Sequence, residues 1–357
     1  MIVSRAPLRI SFVGGGTDLA GFYREYPGRV IATAINKYVF TVINHTPLID
    51  MVSARYSKAE SVAHPSELQH TRIRAALMDM RISRNIEIGS FASLPAKTGL
   101  GSSSAFSVAL LAGLHAQLRR PIEARRLAEL ACRLEIELVG EPIGKQDQYA
   151  AAFGGLTVYQ FNPDETVQVS PVPLTAAQSR RFEYHILVFY TGITRSASEV
   201  LSDQSSRIGQ SRDALRRMSD SVLEFEKRLL AGDIQGLGGM LDEAWRLKKS
   251  LSSRISTPAI DDMYAAGRES GAWGGKVLGA GGGGCVMFLA PPDSHDNIRD
   301  AMRWVAAKHQ LADAREIPIQ FATRGAEVVF NASDDREMPF VLPSQENQAA
   351  FAATFAQ

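Results

Sequence analysis

The chain reads as an α+β protein of two domains, and three observations carry that expectation. It has 357 residues, enough for two ordinary domains with a substantial core. Its C-terminal half runs strand, three helices, two strands, helix, strand, which is the order of an α+β unit. Between the halves, residues 162–181 are rich in Pro, Asp, Thr, Ser and Gln and mark the candidate boundary. The expected domains are therefore 1–175 and 176–335, with a tail over 336–357.

Composition removes several function classes. A 45% hydrophobic and 22% charged chain is ordinary for a soluble globular protein. A net charge of +1 makes no case for a nucleic-acid or membrane-surface partner. Cys132 and Cys285 lie in apolar contexts, so buried free thiols and a reducing compartment are expected. The start Met1-Ile-Val-Ser-Arg-Ala-Pro has no signal-peptide pattern, and no 18-residue apolar span exists. The expected location is cytoplasmic; a homodimer stays open.

Taken in order, residues 2–13 alternate and then run apolar, a strand broken near Pro7. Strands follow at 30–35 and 38–43, a helix around 67–80, and a short strand at Ile86-Glu-Ile. Helices at 103–118 and 121–138 are separated at Pro121. Gly140, Pro142 and Gly144 mark a bend, and 156–159 is a strand. The second half gives a strand at 184–190 and helices at 197–231, 233–250 and 258–270. Strands at 276–278 and 285–289, a helix at 294–309 and a strand at 316–322 complete it.

Four segments carry chemistry. In Leu94-Pro-Ala-Lys-Thr-Gly-Leu-Gly-Ser-Ser-Ser-Ala105, a glycine turn opens an apolar helix, with Ser102, Ser103 and Ser104 as N-cap candidates. Such a helix start binds phosphate readily, although plain capping explains the same residues. The Walker pattern is absent, since no Gly-Lys-Ser/Thr follows at its spacing. Gly14-Gly-Gly-Thr-Asp18 ends the first strand, either as a capped turn or as a polar ledge over a ligand. Lys145-Gln-Asp-Gln148 sets charge against the small apolar run Tyr149–Phe153, as a solvated cap or as an acid/base or metal site. A third glycine turn spans Gly279–Gly284.

Together these segments resemble the GHMP kinases (galacto-, homoserine, mevalonate and phosphomevalonate kinases). Arg5-Ala-Pro-Leu-Arg-Ile-Ser-Phe-Val-Gly-Gly-Gly-Thr-Asp18 resembles their motif one, Leu94–Ala105 motif two, and Lys276-Val-Leu-Gly-Ala-Gly-Gly-Gly-Gly-Cys-Val286 motif three. The likeness covers about residues 3 to 325, with the motifs in the family's order. It implies a mixed β/α N-terminal domain, a ferredoxin-like α/β sandwich after it, and an active site in the cleft between them. The forms Gly-Gly-Gly-Thr-Asp and Gly-Lys-Gln-Asp-Gln-Tyr are most similar to the sugar 1-kinases. They imply ATP-dependent phosphorylation of the anomeric hydroxyl of a heptose 7-phosphate. An unphosphorylated sugar such as fucose, or an inactive ATP or sugar sensor, are the competing readings.

The resemblance also implies roles. Lys97, Thr98, Gly99, Leu100, Gly101, Ser102, Ser103 and Ser104 would hold ATP. Ser103 and Glu135 would bind Mg²⁺; the spacing from Glu135 to Asp147 differs by one residue from the family pattern, so Glu137 competes. Asp147 would orient the attacking hydroxyl, facing Arg9. Gly15, Gly16, Thr17, Asp18, Gly281 and Gly282 would meet the sugar. Where galactokinases carry Glu-His, this chain has Gly15-Gly16, which removes a carboxylate and widens the space. A substrate phosphate needs a cation: Arg195 ranks first, ahead of Lys145, Lys248, Lys249 and Arg254. The adenine pocket is expected within 45–75.

Overall fold

Long apolar strands at the N-terminus build one large sheet. In the computed structural model, which describes residues 1–194, 197–206 and 208–332, β1 (Ile2–Val13) is followed by a single helical turn α1 (Ala20–Tyr23) and by β2 (Gly28–His45). β3 (Val52–Arg55), β4 (Ala59–Val62), α2 (Thr71–Asp79) and β5 (Ile86–Ala92) come next. β2 is long enough to serve two neighbours: its first residues pair with β6 (Leu156–Phe161) and its last with β5. β7 (Val167–Pro171) extends the β6 edge, and all these pairings are antiparallel except β3 with β5.

Helix α3 (Ser102–Gln117) lies across β1 and β2 and is apolar on every side, as a helix buried on every side must be. It fits tightly: the Ser4 hydroxyl on β1 donates to the Ala109 carbonyl at 2.7 Å. α4 (Ala124–Cys132) runs into a π-helical turn, Arg133–Leu138, and α5 (Gln146–Phe153) starts after the glycine bend.

After α6 (Ala176–Tyr184), β8 (Ile186–Tyr190) enters a second, antiparallel sheet. Helices α7 (Ala197–Ser206), α8 (Arg212–Ala231), α9 (Ile234–Leu251) and α10 (Pro258–Glu269) precede β9 (Gly274–Val277), β10 (Cys285–Leu289), α11 (His295–Lys308) and β11 (Arg315–Glu316). The order is β11–β8–β10–β9. Period-two alternation explains why both faces are covered. On β8, Ile186, Val188 and Tyr190 join the main core, while Leu187 and Phe189 join a smaller core with Met302 and Val305 of α11. The last strand, β12 (Glu327–Asn331), returns to the first sheet and pairs with β1.

The two parts share one core. Phe12 of β1 stacks at 5.6 Å on Phe225 of α8 and sits 5.1 Å from Phe182 of α6. Lys276 of β9 crosses the same boundary: its amine donates to the Ser11 and Phe12 carbonyls at 2.9 and 2.8 Å, where a register shift interrupts the β1–β2 ladder. Replacing it with methionine orphans two buried carbonyls, each costing about 1–3 kcal/mol. We expect Lys276→Met to melt lower. Burial, with Lys248 and Arg9 nearby, holds the Lys276 pKa well below its usual 10.5. The unfolded chain then keeps that proton to higher pH, so wild-type stability relative to the variant grows as pH rises towards 10.5. Denaturant midpoints of both proteins across pH measure this.

The structure redraws several elements. Pro7 does not break β1; the ladder shifts register between Pro7 and Leu8 and continues. The strands expected at 30–35 and 38–43 are one strand, β2. The helix expected over 197–231 is two, α7 and α8. The strand expected at 316–322 shrinks to β11 plus a lone bridge between Phe321 and Ile35. Residues 162–181, the candidate boundary, hold β7 and most of α6.

Candidate active site

A cavity of about 630 Å³ opens between the two parts. Its floor is the loop 97–104. Gly101, in the left-handed region at φ 76°, is the N-cap of α3 and bears no side chain. The three serines are therefore the first turn of the helix rather than its cap, contrary to the capping expected for them. No side chain caps this helix end, and its first residues line the cavity, the arrangement in which a helix start takes an anion. Lys97, Gly99, Gly101, Ser102, Ser103 and Ser104 line the cavity; Thr98 and Leu100 are buried beneath it.

Two glycine turns meet backbone to backbone. A Cβ on Gly99 would stand 2.5 Å from the Leu278 carbonyl oxygen, and one on Gly279 would stand 2.6 Å from the Gly99 Cα. Only glycine lets the second part's turn close on this loop.

The Arg9 guanidinium clamps Asp147 with two bonds, Nε to Oδ1 at 2.8 Å and Nη2 to Oδ2 at 2.7 Å, while Nη1 donates to the Gly99 carbonyl at 2.6 Å. The Arg9 side chain is 4% exposed but that of Asp147 is 24%, so the carboxylate is the member open to the cavity. Asp147 lies in the first turn of α5, where the helix dipole favours a negative charge. Asp18 shares that helix end. It accepts the Gln146 and Gly16 amides, both at 3.1 Å, and Gly144 packs so close that a Cβ there would meet its carboxylate at 1.9 Å. Burial lifts the Asp18 pKa above the usual carboxylate value; the Gln146 amide opposes this and the Asp147 charge adds to it.

Glu135 is fully buried in the π-helical turn. It accepts from Arg72 at 2.8 Å, from Gln148 at 2.6 Å and from the Ser103 hydroxyl at 3.3 Å. Glu137 points out, 69% exposed, towards Arg133. Of the two competitors, Glu135 therefore meets Ser103. This pair offers hard oxygen donors, the chemistry Mg²⁺ takes. Among the described residues no group of three His, Cys, Asp or Glu side chains could hold a metal, so phosphate oxygens and water would complete its shell. Arg72 continues to Glu141 at 3.1 Å, and Glu141 accepts the Ser198 hydroxyl of α7 at 2.7 Å, tying the first part to the second.

The wall beyond the loop is aromatic. His70 packs edge-on to Tyr56 at 4.7 Å and against Phe106 at 5.0 Å, with Val39 and Leu94 alongside. Its Nδ1 accepts the Ile73 amide at 3.3 Å, and burial lowers its pKa. Tyr56, Ser57, His70 and Arg72 fall within the stretch expected to meet adenine.

Some expectations fall elsewhere. The Thr17 hydroxyl is fully buried and serves the turn, donating to Gly14 or Arg29 carbonyls at 2.8 and 2.9 Å; it faces no cavity. Gly281 and Gly282 pack on Ile255, and Gly279 and Ala280 line the cavity in their place. Arg195 lies outside the described residues. Lys145 is engaged by Glu165 at 2.5 Å and Lys249 by Asp261 at 3.2 Å. Lys248 borders the cavity. Arg72, His70 and Lys276 had not been singled out as site residues. Lys276 opens the third glycine motif, the one sequence signal that pointed at it.

Residues 68–155 match the GHMP kinases N terminal domain and residues 225–306 the GHMP kinases C terminal domain. The chain therefore carries both the N-terminal and the C-terminal domain of the GHMP kinases, a family that uses ATP. It is 27% identical over 322 residues to the D-glycero-alpha-D-manno-heptose 7-phosphate kinase of Campylobacter jejuni, covering 85% of this chain and 93% of the relative. It is 26% identical to the galactokinase of Pyrococcus furiosus, over 84% of this chain and 92% of that one. A crystal structure of a D-glycero-D-manno-heptose 1-phosphate kinase from Bacteroides thetaiotaomicron superposes with a TM-score of 0.76 at 25% identity, covering 93% of this chain and all of the other. Among the described residues, no helix is long and apolar enough to cross a membrane.

Proposed function

We propose that this chain is an ATP-dependent sugar kinase that phosphorylates the anomeric C1 hydroxyl of D-glycero-D-manno-heptose 7-phosphate, giving the 1,7-bisphosphate. The observation that carries the reading is the Arg9–Asp147 clamp set between the anion-ready start of α3 and Asp18. Phosphoryl transfer needs positioning and charge neutralisation more than a strong base. The loop amides and the α3 N-terminus hold the β- and γ-phosphates. Asp147 accepts or orients the proton of the attacking hydroxyl, and Arg9 fixes its orientation. Asp18 takes hydrogen bonds from neighbouring sugar hydroxyls, and Gly15 and Gly16 leave room for a seven-carbon chain. Tyr56, His70 and Phe106 provide the adenine wall. Glu135 and Ser103 would hold Mg²⁺, which neutralises phosphate charge when bound. The Campylobacter jejuni relative, named for heptose 7-phosphate, supports this choice of sugar.

An ADP-release screen of sugars with and without a terminal phosphate tests it. The expected result is selective turnover of heptose 7-phosphate, with a product that has lost its reducing end because C1 is esterified. Strong preference for unphosphorylated sugars, or a product that still reduces, overturns the assignment.

A further inference from the structure

Lys248 occupies the last turn of α9 on the stripe formed by Leu241, Ala244, Trp245 and Leu251. Helical spacing puts an apolar residue there, and an ammonium group instead costs desolvation. The residue is 5% exposed, yet its end borders the cavity. It donates to the Gly279 carbonyl and, at 3.5 Å, to the Val277 carbonyl. An ammonium has three donors, and among the described contacts no carboxylate bonds this one.

Both described arginines lining the cavity are neutralised by carboxylates, and Lys276, like Lys248, spends two donors on carbonyls. Arg9 holds Asp147, Arg72 holds Glu135 and Glu141, and Lys276 holds two carbonyls of β1. Lys97 is exposed beside the phosphate loop, on the nucleotide side. Lys248 instead feels the charges of Asp18 and Asp147, the carboxylates that face the acceptor. Burial, with Arg9 adding, lowers its pKa to about 8, which leaves it charged at neutral pH.

We propose that Lys248 binds the phosphate monoester of a phosphorylated sugar acceptor and so selects it over the unphosphorylated sugar. This rests on the phosphosugar reading above. A charged hydrogen bond of this kind contributes about 1.5–3 kcal/mol, equivalent to roughly 10- to 150-fold in affinity.

The test is steady-state kinetics of wild type, Lys248→Met and Lys248→Arg on one sugar with and without its phosphate, at saturating ATP. Methionine keeps the stem and removes the charge. The expected result is a wild-type preference for the phosphosugar that falls at least tenfold in Lys248→Met, through KM, and returns in part in Lys248→Arg. Wild-type KM for the phosphosugar also rises above pH 8 as the amine loses its proton, and this rise is absent in Lys248→Arg. The charged groups facing Lys248 are Arg9 on β1, Asp18 after it, Asp147 on α5 and Lys276 on β9.

Equal loss on both acceptors assigns Lys248 to the transferred phosphoryl group and overturns the proposal. A wild-type preference that survives in Lys248→Met overturns it alone. A wild-type preference for the unphosphorylated sugar overturns both the proposal and the reading beneath it. If Lys248→Met melts far below wild type, the Lys248→Arg pH profile decides: persistence of the rise above pH 8 counts against Lys248.

Discussion

Asp147→Asn is expected to lower kcat by about 10²–10⁴ while ATP affinity changes little, the range a positioned proton acceptor contributes. Asparagine retains the size of the side chain and one oxygen for Arg9. It loses the second charge-assisted bond and the ability to take the hydroxyl proton. The expected loss lies in kcat, because the group acts on the acceptor hydroxyl and touches no part of the nucleotide in the proposed arrangement. Asp147→Ala is a harsher change. It strips the carboxylate from an arginine whose side chain is 4% exposed, and a cation left unpaired there destabilises the fold as well. Melting temperature therefore accompanies kinetics for both variants, and calorimetry gives the ATP Kd. Turnover within threefold of wild type in Asp147→Asn would remove Asp147 from the mechanism.

The parts of this site that were legible in the sequence are those where the backbone itself is functional. Gly99 and Gly279 are glycines because two turns touch through their main chains, and no other residue fits. The α3 start was legible because an apolar run follows a glycine turn. Side chains that act through space were harder. Arg72 reaches Glu135 across 63 positions from the helix expected around 67–80, whose pattern marks its apolar face at Ile73, Ala76 and Leu77 and not the partner of this side chain. β3 and β4 are short, and β4 has no buried residue, which leaves them without an apolar signal. β12 is an edge strand exposed at Val328, Val329 and Phe330, and its partner β1 lies at the other end of the chain. Lys248 differs from these. Its place on the apolar stripe of α9 separates it from Lys249 on helical phase alone, a signal present in the sequence. Glu135 and Glu137 also lie on different sides of their helix, but the wider π turn shifts the phase that would distinguish them.

Gly99→Ala is expected to weaken ATP binding by about 100-fold and to lower the melting temperature. Two costs add. Gly99 sits at φ +79°, where an L side chain costs about 1–2 kcal/mol. Its new methyl would also stand 2.5 Å from the Leu278 carbonyl oxygen, which is backbone and cannot rotate away. The loop must retreat from the second part's turn, and it carries with it the Gly99 carbonyl that anchors Arg9 at 2.6 Å. A total near 3 kcal/mol corresponds to about two decades in Kd. Gly140→Ala separates the two costs. Gly140 has nearly the same backbone, φ +80°, but nothing within 4 Å of its would-be Cβ. It therefore carries the conformational cost without the collision, and its ATP Kd is expected to stay near wild type while its melting temperature drops modestly. Calorimetric titration with ATP and a thermal melt of both variants suffice. Equal behaviour of the two alanines would mean that the contact between the glycine turns contributes nothing to nucleotide binding, and that strain at a positive φ is the whole effect.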